Sequence, residues 1–349
     1  MSGKIRALGM LSGGLDSTLA TKLLVDQGIE CVGINFYTGF CITEQKRRVV
    51  GTDDNGERIR NEALDTGAKL EVPVELVDIS ENYLKMVTRP RYGYGKNVNP
   101  CIDCRIHMWS RARELMAEHD ARFIYTGEVL GQRPMSQHRR ALDLIEKNSG
   151  LPGLILRPLS AHLLPPTIPE QRGWVDRSRL LGLRGRSRKE QMRLAEELGI
   201  EDYPTPAGGC CFLTDENYAA KFRDLVSNRE PDRELSQNDV VLLGMGRHFR
   251  LGPELKIIVG RNEPENHAIV RLKEGRLTCT TLDHPGPTTL VEGPASREDL
   301  RKVAAITARY SDGKRESRVR VTFTLPSGEQ EDVVVEPLSG DSELDAMRV

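Results

Sequence analysis

The sequence predicts an α/β protein: a doubly wound, mainly parallel sheet joined to a smaller C-terminal α+β domain. Three observations carry this. Up to Thr126, apolar runs of strand length alternate with helically spaced segments. The connections are short crossovers, which imply parallel pairing with right-handed turns. Beyond a polar stretch at Arg229–Asp239 the pattern changes to short β-like runs around one helix.

Ile5–Leu11 is suited to a buried strand, broken by Ser12-Gly13-Gly14. Asp16–Gln27 carries Leu19, Ala20, Leu23 and Leu24 at helical spacing, and Gly28 stops it. Cys31–Phe36 is a second strand. Asn61–Thr66 is predicted helical and closed by Gly67, with Leu70–Leu76 a strand. Met86–Pro100, rich in Tyr, Gly, Pro and Asn, reads as a loop. Ile106–Glu118 places Met108, Ala112, Leu115 and Met116 on one helical side, and Phe123–Thr126 is a strand ending at Gly127.

Leu151–Pro169 is Pro-rich and aperiodic, as expected of an extended cover segment. Lys189–Leu198 and Asp215–Ser227 are predicted helices. Pro and Gly exclude regular structure from Tyr203–Cys211. The later β-like runs are Val240–Leu243, Lys256–Val259, His267–Leu272 and Val319–Phe323, with a helix at Arg297–Thr307. The expected domains are therefore 1–228, with 151–193 as a basic cover, and 236–349.

Net charge is −1, but its distribution is uneven. Between Gln171 and Arg193 eight Lys/Arg face two acids, whereas Pro326–Val349 holds seven acids and one arginine. The basic block suits a polyanion such as RNA, and equally a solvated helix face. No apolar run reaches the roughly 18–20 residues a membrane span needs, and Met1–Met10 lacks the pattern of a secretory signal. A cytoplasmic chain without membrane partners is expected.

The motif richest in chemistry is Ser12-Gly13-Gly14-Leu15-Asp16-Ser17. It lies between a strand and a helix N-terminus. There glycines let backbone N–H groups approach an anion, and the helix end adds unpaired donors and partial positive charge. Ser12 and Ser17 supply hydroxyls, and Asp16 can hold Mg²⁺ or orient a pyrophosphate. A Walker loop would need a lysine before Ser/Thr, which this segment lacks. The plainer reading is a Gly turn with an Asp/Ser helix cap.

Seven cysteines are present: Cys31, Cys41, Cys101, Cys104, Cys210, Cys211 and Cys279. In a cytosolic chain a disulfide framework is not expected. Cys101-Ile102-Asp103-Cys104 can bind one metal centre, and Gly208-Gly209 before Cys210 lets the backbone fold around it. Cys210 is thus the expected third ligand, with Cys211 as an alternative. Iron–sulfur cluster, catalytic persulfide and structural zinc all remain open; zinc would draw on Cys211 or His107. Cys31 reads as core, while Cys41 and Cys279 have no spacing partner.

SGGLDS resembles the signature of the PP-loop ATP pyrophosphatases, whose fold is the adenine-nucleotide alpha-hydrolase type. The resemblance implies ATP cleavage between the α and β phosphates and adenylation of a carbonyl oxygen. It places adenine near Leu8, Gly9 and Met10 and near Asn35 and Phe36, with the phosphates at Ser12, Gly13, Gly14, Asp16 and Ser17. The segments NPCIDCRIHM, TGEVLGQRPMSQ, LILRPLSAHLLPPTIPE and DYPTPAGGCCFLTDENYA are similar to tRNA thiouridine synthetases over residues 4–228. This implies a tRNA sulfurtransferase using ATP and Mg²⁺, with Asp16, Cys101, Cys104 and Cys210 catalytic and the cysteines holding a [4Fe-4S] cluster. Neither an N-terminal RNA-binding domain nor a rhodanese-type domain is recognisable, which favours the cluster over a persulfide relay. GMGRHFRL and IIVGRNEPEN resemble the RNA-binding domain of ribosome quality-control NFACT proteins.

Gly127 and the following loop lie at a strand C-terminus, where open α/β sheets bind ligands. Arg133 and Gln137 are expected to meet a phosphate or the target base, unless the loop is ordinary surface. Arg139, Arg140, Arg184, Arg186, Arg188 and Lys189 are candidate tRNA phosphate contacts. Trp109, Trp174 and His248 read as packing residues, with Trp174 also placed to stack on a base. The expected product is 4-thiouridine at position 8. Alternatives are a persulfide-dependent wobble 2-thiouridylase and a zinc-stabilised, nucleotide-sensing RNA adaptor. The expected partners are tRNA and either sulfide or a sulfur-donor protein; oligomeric state stays open, a homodimer included.

Overall fold

The computed structural model describes residues 4–52, 56–200, 203, 211–229 and 233–349. In chain order the elements are β1 (Arg6–Met10), α1 (Leu15–Val25), β2 (Glu30–Tyr37), α2 (Ile42–Val49), α3 (Glu62–Lys69), β3 (Val74–Asp78), α4 (Ser80–Thr88), α5 (Cys101–Glu118), β4 (Phe123–Thr126), α6 (Arg139–Ser149), β5 (Ile155–Leu156), α7 (Ile168–Gln171) and α8 (Lys189–Glu197). There follow α9 (Glu216–Ser227), α10 (Gln237–Leu243), β6 (Arg247–Arg250), β7 (Lys256–Val259), α11 (Glu263–Arg271), β8 (Leu277–Thr281), β9 (Thr289–Glu292), α12 (Arg297–Arg309), β10 (Val319–Thr324), β11 (Gln330–Val335) and α13 (Asp341–Met347).

Two compact units form. The first comprises residues 1–38 and 59–210 and contains a five-stranded parallel sheet ordered β3-β2-β1-β4-β5. Its core joins Ala7, Leu19, Leu24, Phe123, Tyr125 and Leu156, and the partly buried Trp174 and Leu194 pack against it. Trp174 stacks on Phe123 at 6.5 Å between ring centroids, and Trp109 is fully buried. Both tryptophans therefore serve packing.

The second unit comprises 39–58 and 211–349, around a six-stranded antiparallel sheet ordered β11-β10-β8-β9-β7-β6. This division differs from the domain limits expected at 228 and 236. Side chains of α9 explain why: the Tyr218 hydroxyl donates to the Val240 carbonyl at 3.0 Å, and Asp224 pairs with Arg250 and Lys256. Phe40 packs edge-on against Tyr218 and Phe222, and the Gln45 amide donates to the Val241 carbonyl. An apolar and ionic surface shared by β6, β7 and α10 thus holds both segments.

Several local expectations are corrected. Val240–Leu243 is the end of helix α10, whose capping box pairs Ser236 with Asp239. His267–Leu272 lies in and just beyond α11, capped by Asn262. Both are short apolar runs, whose period cannot separate strand from buried helix. Gly67 does not end α3 but lies buried inside it, where a Cβ would stand 2.3 Å from a Val74 methyl. α4 covers part of the expected loop at 86–100, and α6 and β5 were not expected. Most of Tyr203–Cys211 lies outside the described residues.

Candidate functional site

In the first unit β1 and β4 are neighbours, and the chain leaves β1 toward β2 but β4 toward β5. This is the point where the strand order reverses, and ligands of open α/β sheets bind outside the strand C-termini there. The turn Leu11–Gly14 follows β1, and Gly127–Glu128 follows β4.

Gly13 adopts φ +78°, a backbone state that disfavours L side chains. A Cβ there would also stand 2.3 Å from the Glu62 carbonyl carbon, so the turn presses on the start of α3. Asn61 caps that helix, accepting from the N–H groups of Ala63 and Leu64. Ser17 donates to the Gly14 carbonyl at 2.8 Å, and its oxygen lies 3.3 Å from that of Ser12. Ser12 stays exposed. The first turn of α1 is thereby fixed with its N-terminal end toward the crevice.

Gly127 closes this arrangement from β4. A Cβ on it would fall 2.5 Å from Asp16 C and Ser17 N, both backbone atoms. Only glycine lets the β4 end approach the α1 turn so closely. Gly9 permits a similar approach, since its Cβ would overlap the Tyr125 ring. Leu8 is buried and Met10 nearly so; the Asn35 amide donates to the Leu11 carbonyl at 2.8 Å, while Phe36 is half-buried.

Asp16 is held by residues not foreseen from sequence. Gln132 Nε2 donates to Asp16 Oδ2 at 2.9 Å, and an Arg188 guanidinium nitrogen stands 3.7 Å from the same oxygen. Asp16 Oδ1 is buried and has no hydrogen-bond partner among the described residues. A carboxylate oxygen in that state suits a divalent cation or a donor brought by a ligand. Arg188 reaches this place because Gly185 N donates to the Leu130 carbonyl, docking residues 184–188 on the loop after β4. Arg188, expected to contact tRNA phosphate, thus stands at the phosphate loop.

The remaining basic candidates are exposed: Arg133, Arg139, Arg140, Arg184, Arg186 and Lys189. Arg139 pairs with Asp143 one turn along α6. Gln137, by contrast, is 3% exposed, and its side-chain oxygen accepts from Arg133 N at 3.0 Å. It shapes the loop from within.

Cys101 and Cys104 occupy the first turn of α5, which starts five residues earlier than expected. Three positions apart on a helix, they share a face, about 5–6 Å between Cβ atoms. Asp103, buried between them, accepts from Arg91 N and Tyr92 N and pins the preceding loop to the helix. Arg105, next along α5, reaches Glu128 at 3.5 Å; Glu128 also pairs with Arg157, which pairs with Glu146. The helix carrying the two thiols is thus tied to the strand end beside Gly127. Cys104 Sγ lies 3.7 Å from Met108 Sδ. His107 sits edge-on to Tyr83, and burial lowers its basicity.

Cys210 lies outside the described residues, so the expected three-thiol set falls partly beyond them. Among the described residues no group of three His, Cys, Asp or Glu is disposed to hold a metal. Two of the donors expected for a cluster are therefore suitably spaced, and their thiolate chemistry suits iron or zinc. In the second unit, Cys211 is bridged in antiparallel fashion to Cys41, a pairing that chain spacing could not reveal. Cys31 and Cys279 are buried, and burial pushes their thiols up to about 11 and about 12. His248 is buried too, its Nε2 within 2.9 Å of the Met245 carbonyl, and burial holds it well below the usual histidine range. No helix among the described residues is long and apolar enough to cross a membrane.

Residues 2–162 match the family model for the thiamine biosynthesis protein (ThiI), and residues 246–346 that for the NFACT protein RNA binding domain. A tRNA-specific 2-thiouridylase MnmA from Dehalococcoides mccartyi is 23% identical over 323 residues, covering 84% of this chain and 85% of that protein. A probable tRNA sulfurtransferase from Thermococcus kodakarensis is 30% identical over 157 residues, covering 45% of this chain but 37% of that protein. Among solved structures, a 4-thiouridine synthetase–RNA complex with bound ATP matches with TM-score 0.35 and 22% identity, over 56% of this chain and 41% of that one.

Proposed function

We propose a reaction for this chain on the premise that it is a PP-loop enzyme of the tRNA-thiolation type with an NFACT RNA-binding domain near its C-terminal end: it adenylates a tRNA uridine carbonyl with ATP and replaces the oxygen by sulfur. The observation that carries the reading is the crevice between β1 and β4. There Gly13 turns the chain after β1 and Gly127 lets the end of β4 meet the backbone at Asp16, whose Oδ1 is buried and unpartnered among the described residues.

ATP lies with its phosphates against the N-terminal turn of α1. The N–H groups of that turn and the Arg188 guanidinium carry the negative charge that grows as pyrophosphate leaves. Asp16 Oδ1 would be the ligand for a Mg²⁺ that offsets phosphate charge, and the Gln132 bond to Oδ2 holds the carboxylate in its present rotation. The uridine oxygen attacks the α-phosphorus and forms an adenylate. A sulfur nucleophile then attacks the activated ring carbon, and AMP leaves with the former uridine oxygen.

Cys101 and Cys104, with Cys210 as the third thiolate, would hold the sulfur-delivering centre. A [4Fe-4S] cluster held there would supply the iron chemistry that binds and delivers sulfide. Asp103 and Glu128 keep the Cys101–Cys104 turn fixed against the sheet end. The proposed product is 4-thiouridine at position 8. The wobble 2-thiouridylase reading with a cysteine persulfide is favoured by one finding, the similarity to 2-thiouridylases over most of the chain. The exposed arginines of 133–140 and 184–186, together with the NFACT-type unit, are proposed to contact tRNA phosphates.

The test is pyrophosphate release and thiouridine formation with tRNA, ATP, Mg²⁺ and sulfide. Asp16→Ala is expected to abolish both. Cys101→Ala is expected to abolish thiolation and cluster absorbance while ATP binding persists. A fully active Cys101→Ala enzyme defeats the cluster assignment, and nucleosides from a deletion strain identify the modified position.

A further inference from the structure

We propose that Cys41 and Cys211 form a dithiol modification site that reacts with low-molecular-weight disulfides and closes to an intramolecular disulfide. The inference goes beyond the thiolation reading and does not depend on it.

The backbone geometry fixes the pair. Cys41 and Cys211 are partners in an antiparallel bridge, and Phe212 N donates to the Phe40 carbonyl at 3.0 Å. That bond joins the residue before Cys41 to the residue after Cys211. The two cysteines therefore occupy the non-hydrogen-bonded position of the ladder. There, opposed Cα atoms stand about 4.5 Å apart and the side chains leave on the same face. Disulfides accept Cα separations of about 4.4–6.8 Å, so closure needs no backbone rearrangement.

The flanking aromatic residues hold the pair in register. Phe40 is fully buried and packs edge-on against Tyr218 and Phe222, at 6.3 and 6.2 Å between centroids. Phe212 stacks on Tyr218 at 4.9 Å. Both chain segments are thus anchored through the residue next to each cysteine, and most of the ordering cost of closure is already met by folding. Cys41 and Cys211 are both half-buried, within reach of a small reagent, whereas Cys31 and Cys279 are buried.

The reaction balances without further reagents. One thiolate attacks the small disulfide, forms a mixed disulfide and expels one small thiol. The second thiolate attacks the mixed disulfide at the protein sulfur, forms the Cys41–Cys211 bond and expels the second small thiol. Two protein thiols are oxidised, one small disulfide is reduced to two thiols, and the two protons leave with them. Closure ties the 39–58 segment to residue 211 and withdraws the Cys211 thiolate from any role beside Cys210.

The experiment uses the full chain, reduced and freed of metal with a chelator. It is equilibrated with excess glutathione disulfide, quenched with acid, and mapped by tandem mass spectrometry. We expect a Cys41–Cys211 link and the loss of two thiols. Cys210→Ser should retain the link, and Cys41→Ser should leave Cys211 as a mixed disulfide with no intramolecular link to it. As a second measurement on the unaltered chain, phenylarsine oxide should bridge the same two thiols. The proposal is overturned if Cys41 and Cys211 stay reduced while Cys101 and Cys104 join, or if the link persists in Cys211→Ser through Cys210.

Discussion

Gln132 Nε2 donates a 2.9 Å hydrogen bond to Asp16 Oδ2, leaving Asp16 Oδ1 buried and without a partner among the described residues. The bond crosses from the loop after β4 to the first turn of α1. It sets the rotation of the one carboxylate in the phosphate loop. Replacing Gln132 with Leu removes a hydrogen bond to a charged group, typically about 1.5–3 kcal/mol. The expected result is a fall in kcat for pyrophosphate release of roughly tenfold or more, with a higher Mg²⁺ requirement and little change in melting temperature. Unchanged Mg²⁺ dependence in a titration of initial rates would remove Gln132 from the site.

Gly127→Ala tests the close approach of β4 to the α1 turn. The added methyl has no flexible neighbour to displace, since the nearest atoms are Asp16 C and Ser17 N. Overpacking of this kind costs about 1–3 kcal/mol. Calorimetry should show a lowered Tm, and equilibrium dialysis weakened ATP binding. Gly28→Ala is the control: nothing lies within 4 Å of a Cβ there, though its φ of +79° adds backbone strain alone. ATP binding should survive that change.

The Glu128–Arg157–Glu146 network is a second point of failure. Glu128 and Arg157 are each 3% exposed and mutually paired. Glu128→Gln removes one of the two carboxylates paired with the buried Arg157 guanidinium and leaves Glu146 in place, so the expected loss is that of a hydrogen bond between charged groups, about 1.5–3 kcal/mol. A chemical denaturation midpoint close to wild type would contradict this. Because Glu128 also meets Arg105 on α5, reactivity of Cys101 and Cys104 toward iodoacetamide should change in this variant.

Thiol chemistry separates the cysteines by burial. Cys31 and Cys279 are pushed by burial to about 11 and about 12. At pH 8 both should resist alkylation in the folded protein and react after denaturation. The sign for stability follows. A buried thiol stays protonated above pH 9 while the unfolded chain ionises, so its contribution is complete below that value. It is lost as pH rises from about 9 through about 11 for Cys31. Urea midpoints that rise across this range would contradict the assignment.

The amino-acid pattern revealed much of the first unit. SGGLDS announced its own place because strand, glycine turn and helix follow one another locally, and β1, α1, β2 and β4 are apolar segments each closed by a nearby glycine. What escaped was non-local. Gln132 reads as an ordinary loop residue until β4 is laid beside β1. Cys41 lacks any spacing partner because Cys211 reaches it through folding of the second unit. Val240–Leu243 misled for a physical reason: four consecutive apolar residues carry no period, and the Ser236–Asp239 capping box that marks a helix precedes them.

The most direct test of the account is nucleoside mass spectrometry of tRNA incubated with this protein, Mg²⁺ and sulfide under anaerobic conditions, with and without ATP. The account predicts a uridine with one oxygen replaced by sulfur only when ATP is present, formed together with AMP and pyrophosphate, and absent with Asp16→Ala. Folded, tRNA-binding protein that yields no thiouridine, or that yields it equally without ATP, would contradict it.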